Sequence, residues 1–383
     1  MQARTHHWDA ASGEALHPAG REALLAALDK GYADPRRLHG SGRAARLLLD
    51  NAREVTASCL GVRADEVSFT ASGTEAVHRG LLGLVTGRVR DGASVVRTAV
   101  EHSSVRHALD WRGTPQVEVP VDRDGRVDPD DVRSAVGSAD GGAAVVAVQS
   151  ANHEVGTLQP VAEIAAAVPD VPIFVSVAAS AGRLPLPSGW SVAAASAHKW
   201  GGPAGLGLLL VRKGARWRNA FPADDRIDER VSGFENVPAA LAAAAALQAV
   251  VAERDEVGRA QAALLDRIRA AVATLPDVEV VGHPHARLPH VLTFSCLYVD
   301  GEALVTELDR HGFGVASGSA CTASTLAPSH VLEAMGVLTH GNVRLGLPWP
   351  TADHPMAAVE AEVDRFLALL PEVLVELRGR IGL

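Results

Sequence analysis

The sequence is poor in lysine, cysteine and aromatic residues, and it has no excess of positive charge. Aromatic side chains make up 4% of its 383 residues, and the formal net charge is −9. No run of lysine and arginine offsets this charge, so we expect neither nucleic acid nor an anionic membrane as the main partner. No apolar run reaches the roughly 20 residues that span a bilayer. The first residues, MQARTHHWDAASG, lack the apolar core of a signal peptide.

The three cysteines, Cys59, Cys296 and Cys321, are an odd number and lie far apart without CxxC spacing. This pattern argues against a disulfide framework and a cysteine zinc site, so we expect no metal and a reducing cytoplasm. Cys296 in LTFSCLYV and Cys59 in VTASCLG are predicted to be core residues. Cys321 lies instead in FGVASGSACTASTLAPSH, a run of small residues typical of an exposed loop. A cysteine in such a loop is a candidate reactive thiol.

Apolar residues are abundant, at 47% of the chain against 21% charged, which indicates a folded chain long enough for two domains. Short β-branched runs alternate with alanine-rich segments of helical spacing, which predicts a mostly parallel mixed sheet with helices on both faces. The predicted strands are 66–71, 93–100, 143–150, 171–177, 191–197 and 205–213. From about residue 236 a long alanine- and leucine-rich helix, three strands and a final helix follow. We therefore predict a large α/β domain over 15–248 and a small α+β domain over 249–383 that includes 1–14.

The chain has only three lysines, Lys30, Lys199 and Lys213. Lys30 follows an amphipathic stretch and Lys213 lies in VRKG, so both are expected at the solvated ends of elements. Lys199 follows the small-residue run AAASAH and precedes GGP, which predicts an amine that points from a strand end into a confined space. Confinement of this kind lowers the pKa of an amine and makes it a nucleophile.

Polar residues follow four of the predicted strands. In an open α/β sheet, ligands bind beyond the carboxyl ends of the strands, and a helix that starts there favours a phosphate. Each feature taken alone also fits a plain helix start or a satisfied polar side chain, but their convergence predicts a ligand site. The four ends carry Gly73 and Thr74 in SFTASGTEA, His102 in TAVEHSS, Asn152 and His153 in AVQSANHEVG, and Ser196, His198 and Lys199 in SAHK.

These motifs together resemble the group I cysteine desulfurases, pyridoxal-phosphate enzymes of fold type I in the class V aminotransferase superfamily. SAHKWGGPAGLG is similar to the cofactor-lysine motif and ASGSACTAS to the sulfur-accepting loop of that family. The resemblance covers nearly the whole chain in the same order, from DAAS through DPRRLHGSGR, FTASGTE, VEHSS, ANHEVGTLQPV and SGFENVP to GNVRLGLP.

The resemblance implies a role for each candidate residue. Lys199 would hold pyridoxal 5'-phosphate covalently and shuttle a proton at the substrate α-carbon, and His102 would stack on the cofactor ring and handle protons. Asn152, or His153 beside it, would contact the ring or the substrate. The phosphate would be bound by Gly73, Thr74, Ser196 and His198.

Two further residues would act on L-cysteine, the substrate that the resemblance implies. Arg344 in NVRLGLP would bind its carboxylate in bidentate fashion. Cys321 would attack its sulfur, leaving L-alanine and a persulfide for an acceptor protein. The resemblance also implies a homodimer.

The chain departs from the family pattern at residues that would touch the cofactor. The family usually has an aspartate at the ring nitrogen, where this chain has Ser176, and a glutamine where it has Ala179. A neutral hydroxyl cannot stabilise a pyridinium, so the cofactor becomes a poorer electron sink. Val231 and Phe234 replace polar residues of the family motif RSGT.

Three functions stay open from the sequence. The first is a working desulfurase or a related C–S lyase with an altered cofactor site. The second is a degenerate paralogue that serves as a sulfur-relay or assembly partner with weak or no cofactor chemistry. The third is an aminotransferase-like enzyme that uses no thiol. Retention of Lys199, His102, Cys321 and Arg344 favours the first, and the SGSACTAS loop argues against the third.

Overall fold

The computed structural model describes residues 6–30, 33–222, 224, 228–317 and 328–380. Over these residues the helices and strands are β1 (His6–His7), α1 (Pro18–Asp29), α2 (Gly40–Leu60), β2 (Val67–Thr70), α3 (Gly73–Gly87), β3 (Ser94–Thr98), α4 (Ser103–Arg112), β4 (Gln116–Val119), α5 (Pro129–Ser138), β5 (Ala143–Gln149), α6 (Val161–Ala167), β6 (Ile173–Ser176), β7 (Val192–Ser196), β8 (Gly207–Val211), α7 (Val237–Val272), β9 (Val278–Val281), β10 (Val291–Cys296), α8 (Gly301–Arg310), β11 (Phe313–Gly314), α9 (His330–Met335), β12 (Asn342–Gly346) and α10 (Met356–Gly379).

The largest sheet has seven strands in the order β2-β8-β7-β6-β5-β3-β4. β8 runs antiparallel to both of its neighbours, and the other adjacent pairs are parallel. The six predicted strands are all present here. A mixed sheet of this kind, mostly parallel, places the carboxyl ends of β2, β3, β5, β6 and β7 at one edge.

Helices cover both faces of this sheet. On one face α3 and α4 pack Leu81 and Leu109 against strand residues that include Phe174. On the other, α2, α6 and α7 contribute Leu49, Ile164 and Leu247 to a second core. Because both faces are covered, the central strands are buried along their whole length, as in β5. The predicted α/β class is confirmed.

The helix α7 is 36 residues long and is capped by the side chain of Asn236, which accepts a hydrogen bond from the Ala239 N–H. Its first half is rich in alanine and packs closely against α1 and α2. Its second half places Leu265 and Ile268 in the C-terminal core. Among the described residues it is the one helix long and apolar enough to cross a membrane, but 56% of its apolar window is buried inside the protein. We interpret it as a core helix. The predicted boundary at residue 248 falls inside it and stays a prediction.

The C-terminal part contains a three-stranded antiparallel sheet in the order β12-β10-β9. The N-terminal segment joins this part, because β1 pairs in parallel with β11. Trp8 is fully buried there against Phe313 and Phe366, each with its ring centroid 5.1 Å away. Its indole N–H donates to Glu362.

A buried ion pair joins the two parts beside the sheet edge. The guanidinium of Arg183 donates to the carboxylate of Glu14 and to Gln261 on α7, and the two charged side chains are 1% and 4% exposed. The Trp349 N–H donates to the same Glu14 carboxylate. The N-terminal segment, the large sheet and the C-terminal part are therefore held together by one polar cluster.

Candidate functional site

The structure brings the predicted polar residues to the common edge where β2, β3, β5, β6 and β7 end. Ser72 follows β2, His102 follows β3, and Asn152 follows β5. Ser176 is the last residue of β6, and Ser196, the last residue of β7, leads into a 3-10 turn over Ala197–Trp200. The convergence expected from the sequence is observed.

Lys199 lies in that turn and lines a cavity with His153, Ala179 and His290; the remaining walls are Ala10, Ala11, Leu288 and Val291. Burial is the main cause that lowers the pKa of His153 and of His290, and the positive charge of Lys199 acts in the same direction on both. The imidazoles around the amine of Lys199 are therefore held neutral.

The start of α3 forms a cradle for an anion. Ser72 caps the helix by accepting the Glu75 N–H at 3.0 Å, and the first turn leaves the N–H groups of Gly73 and Thr74 without helical acceptors. A Cβ on Gly73 would lie 2.6 Å from the Cβ of Ser196, so only glycine allows this close approach to the end of β7.

His198 extends this cradle from the end of β7. Its Nδ1 lies 3.0 Å from the Ser196 hydroxyl. Burial, and after it the charge of Lys199, lowers the pKa of His198. The cradle therefore combines helix N–H groups with a hydroxyl and an imidazole, the donor set that a phosphate prefers.

His102 caps α4 with its side chain. Its Nδ1 accepts the Ser104 N–H at 3.1 Å and lies 2.8 Å from the Ser104 hydroxyl. Its ring meets that of His153 edge to face, with the centroids 4.9 Å apart. Burial, reinforced by the neighbouring His153 and Lys199, lowers the pKa of His102 to about 3. His102 is therefore a neutral ring fixed in orientation.

Of the neighbours Asn152 and His153, it is His153 that faces Lys199. The Asn152 side chain oxygen accepts the N–H groups of Glu154 and Val155 at 2.8 and 2.9 Å, and its amide nitrogen donates to a main-chain oxygen. Asn152 thus holds the turn after β5. The contact with ring or substrate that the resemblance implies for Asn152, or for His153 beside it, stays a prediction.

Arg344 lies on β12 and is 4% exposed. Its Nη2 donates to Asp9 at 2.7 Å and also to the Ser12 hydroxyl, and its Nη1 donates to the main-chain oxygen of His153 at 3.0 Å. Its Nε is buried and has no hydrogen-bond partner among the described residues. The guanidinium is thus fixed at the site with its Nε–H unused. The sequence motif DAAS contains both Asp9 and Ser12, but nothing in it predicts that they bind this arginine.

The position expected to face the cofactor ring carries no carboxylate. Ser176 is 7% exposed, and its main-chain oxygen accepts the Ser150 N–H at 2.8 Å. Ala179 lines the cavity beside Lys199. Two of the departures seen in the sequence, Ser176 and Ala179, therefore lie between β5 and β7 at the edge that carries the site.

Cys321 lies outside the described residues. The described residues before it are anchored at the site, since Ala316 and Arg344 exchange main-chain hydrogen bonds of 2.7 and 3.2 Å. Those after it begin with Pro328 and Ser329, and the Ser329 hydroxyl donates to Glu154 at 2.6 Å. Of the other cysteines, Cys296 is buried, as the sequence predicts, whereas Cys59 is only half-buried and packs against the core.

These residues fit pyridoxal phosphate, the cofactor that the resemblance implies. The cradle closed by Gly73 suits its phosphate, and the amine of Lys199 suits its aldehyde. Ser176 would offer the ring nitrogen a hydroxyl group, as the resemblance implies, and a hydroxyl suits a neutral pyridine. Within the described ranges, no group of three or more His, Cys, Asp or Glu side chains is arranged to hold a metal ion.

Comparisons with known proteins agree with this geometry. The sequence profile of the family described as aminotransferase class-V matches residues 17–349. The chain is 32% identical to the cysteine desulfurase IscS of Dictyoglomus turgidum over 356 residues, 90% of each chain. It is 35% identical to an IscS-like cysteine desulfurase of Mycobacterium tuberculosis, covering 97% and 96% of the two chains. A solved NifS-like protein superposes with a TM-score of 0.86 at 26% identity, over 97% of this chain and 100% of that one.

Proposed function

We propose that this chain, which belongs to the class V aminotransferase family and to its cysteine desulfurase branch, removes sulfur from L-cysteine to give L-alanine and a persulfide on Cys321. The observation that carries the proposal is the placement of Lys199 and Arg344 on two sides of His153. Lys199 shares a cavity with the His153 side chain, and Arg344 donates to the His153 main-chain oxygen. An α-amino acid needs such a pair, because it presents a carboxylate and a nitrogen on one carbon.

Pyridoxal phosphate, when bound, supplies an electron sink for bonds that break at the substrate carbons. The residues that would hold it are Gly73, Thr74, Ser196 and His198 at the phosphate and Lys199 at the aldehyde. Ser176 and Ala179 would face its ring. Because neither residue is charged, we infer a ring nitrogen that is less often protonated than one beside an aspartate.

The chain's own groups orient the substrate and move its protons. Arg344 binds the substrate carboxylate, and Asp9 and Ser12 fix the guanidinium in place. The amine of Lys199 accepts and returns the proton at the substrate α-carbon. His102 covers the site as a neutral ring and excludes water from it.

Cys321 accepts the sulfur in this proposal. Its thiolate attacks the sulfur of L-cysteine, so an S–S bond forms, the C–S bond breaks, and the carbon that keeps the electron pair takes up a proton to become the methyl group of alanine. The support is the anchoring of Ala316 and Ser329, which precede and follow the segment that contains Cys321, to Arg344 and Glu154. An acceptor protein takes the sulfur from the persulfide. We further propose a homodimer in the cytoplasm.

One observation favours a second function. The absence of a carboxylate at Ser176 and of an amide at Ala179 fits a paralogue that binds the cofactor weakly and acts as a sulfur-relay or assembly partner. The two functions differ in what the purified protein does with L-cysteine.

Incubation of the purified chain with pyridoxal phosphate and L-cysteine, with alanine and sulfide measured separately, tests the proposal. A desulfurase makes alanine, and it releases sulfide in equal amount only when a reductant removes the persulfide. A relay partner makes no alanine. A protein that converts L-cysteine to pyruvate instead of alanine is a plain C–S lyase, and this result also contradicts the proposal.

A further inference from the structure

His153 carries a buried nitrogen that the proposed function leaves unused. Its Nδ1 is buried and has no hydrogen-bond partner within the described part of the chain. The ring lines the cavity that contains Lys199. Its other nitrogen, Nε2, lies 3.5 Å from Oε1 of Glu154. A carboxylate on one side of an imidazole and an unpartnered nitrogen on the other is the arrangement of a general base.

Glu154 is itself held firmly. Its Oε2 accepts the Ser329 hydroxyl at 2.6 Å, and its main-chain oxygen accepts the Thr293 hydroxyl at 2.7 Å. Burial alone would raise the pKa of Glu154, but the interactions with His153 and Ser329 outweigh it and lower that pKa. Glu154 is therefore ionised, and it directs the imidazole proton to Nε2. The lone pair of His153 is thereby left on Nδ1.

Charged groups from several elements face His153 and decide its resting state. Glu154 favours the imidazolium, whereas burial, Lys199 and Arg344 oppose it, and the net effect lowers the pKa of His153. The ring of His102 packs against that of His153, and His290 lines the same cavity as His153; burial keeps both neutral. At neutral pH the His153 ring is thus uncharged and able to accept a proton.

His102 is less suited to this role. Its Nδ1 is occupied by the Ser104 N–H, which it accepts as the cap of α4. A proton on that nitrogen would meet the N–H donor of Ser104 and break the cap. Of His102 and His153, it is therefore His153 whose Nδ1 has no hydrogen-bond partner among the described residues and is able to accept a proton.

We propose that His153 is the base that deprotonates the substrate's ammonium group, with Glu154 as its orienting partner. The inference rests on the proposed function, because it takes the substrate carboxylate to be on Arg344 and the substrate nitrogen to be directed at Lys199. One N–H bond of the ammonium breaks, its electron pair stays on the substrate nitrogen, and an N–H bond forms at Nδ1. Glu154 stabilises the imidazolium until the proton returns to the product amine.

The pH dependence of kcat/KM for L-cysteine tests this role. In His153→Asn the amide can donate a hydrogen bond but cannot take a proton. The variant can therefore react only with the fraction of cysteine that has already lost its ammonium proton in solution. We expect kcat/KM near pH 7 to fall by about 10²-fold. We expect it to recover toward the alkaline side, about tenfold per pH unit, up to the pKa of the substrate amine. Glu154→Gln should show a smaller loss in the same direction. The matched control is His285→Asn, an exposed residue outside the site, which should keep the wild-type profile.

A binding measurement separates a base from a merely structural residue. Calorimetric titration of L-alanine in two buffers of different ionisation enthalpy counts the protons released on binding. His153→Asn should release roughly one more proton per bound amino acid than the wild type, because the ammonium proton then leaves for the buffer. The compound 3-mercaptopropionate has a thiol and a carboxylate but no amine, so its binding should release the same number of protons from the wild type and from His153→Asn.

Failure of the role given to His153 and failure of the proposed function give different results in these experiments. Equal proton counts and parallel pH profiles for wild type and His153→Asn would overturn the role of His153. A wild type that makes no alanine from L-cysteine would instead refute the proposed function. The proton count with L-alanine would in that case still report on His153.

Discussion

The main-chain oxygen of His153, in the turn after β5, accepts a hydrogen bond of 3.0 Å from Nη1 of Arg344 on β12. This bond joins the large sheet to the C-terminal sheet at the site itself. The same guanidinium binds Asp9 of the N-terminal segment. Three separate parts of the chain therefore fix the position of Arg344, which we propose to bind the substrate carboxylate.

Lys199 is predicted to be the one lysine that carries the cofactor. Lys199→Ala should lose all turnover, and borohydride treatment should no longer attach the cofactor to the protein, as measured by peptide mass. Lys213→Ala is the matched control, because Lys213 is exposed beyond β8. Reductive attachment of cofactor to Lys199→Ala would show that the covalent link lies elsewhere.

Ser176→Asp is predicted to strengthen the cofactor's electron sink. A carboxylate at this buried position favours a protonated ring nitrogen, so turnover at equal cofactor occupancy should rise by on the order of tenfold, or about 1.4 kcal/mol of barrier. Without cofactor the buried, unpaired aspartate should lower the melting temperature. Ser176→Asn, which is neutral and similar in size to aspartate, should neither raise the turnover rate nor lower the melting temperature in this way. An unchanged rate in Ser176→Asp would mean that the site is adapted to a neutral ring.

Glu101 is predicted to make the protein less stable as the pH rises from about 5 to 7. Its side chain is fully buried, and desolvation raises its pKa from 4.5 to about 7 despite hydrogen bonds from Thr98 and Gln149. Below pH 4.5 both the folded and the unfolded chain hold the proton. Between pH 4.5 and about 7 only the folded chain holds the proton. The contribution of Glu101 to the stability of the fold is therefore lost as the pH rises, by up to about 1.4 kcal/mol per pH unit.

Glu101→Gln mimics the protonated side chain, so urea unfolding between pH 5 and 8 should show a flatter pH dependence than in the wild type. Glu118→Gln removes an exposed carboxylate instead and should leave the wild-type slope. A Glu101→Gln variant with an unaltered slope would show that the buried carboxyl is not the titrating group.

Arg183→Met is predicted to destabilise the protein by about 3–5 kcal/mol, because it leaves the buried Glu14 carboxylate without its cation. The free energy of unfolding in urea measures this loss. Arg267→Met removes a surface pair with Asp364 and should cost no more than about 1 kcal/mol. Similar losses for the two variants would contradict the role given to the buried pair.

The sequence was sufficient to predict the central sheet, because parallel strands covered on both faces are continuous apolar runs, as in β5 and β7. It did not predict β4, which lies at the sheet edge and is half exposed, so that Gln116–Val119 has no such run. It assigned residues 1–14 to the C-terminal part, but it gave neither bounds nor a partner for β1. The pairing of β1 with β11 joins residues about three hundred positions apart, and nothing local signals it.

The sequence predicted which strand ends form the site, but it did not predict where the side chains at those ends point. Asn152 and His153 are adjacent in one turn, and the sequence could not decide which of them faces Lys199. The structure decides it, because the Asn152 amide is used within the turn. The bonds from Arg344 to Asp9 and Ser12, and the support of His153 by Glu154, arise from tertiary packing that no spacing in the sequence reveals.

Sulfur transfer to Cys321 is the central claim, and the mass of the Cys321 peptide from protein trapped during turnover with L-cysteine tests it most directly. We predict one extra sulfur atom on this peptide in the wild type, in Cys59→Ser and in Cys296→Ser. Cys321→Ser should still bind pyridoxal phosphate and L-cysteine but should make no alanine, because no thiolate is present to take the sulfur. Release of alanine by Cys321→Ser at the wild-type rate, with no added sulfur on the wild-type peptide, would contradict the claim.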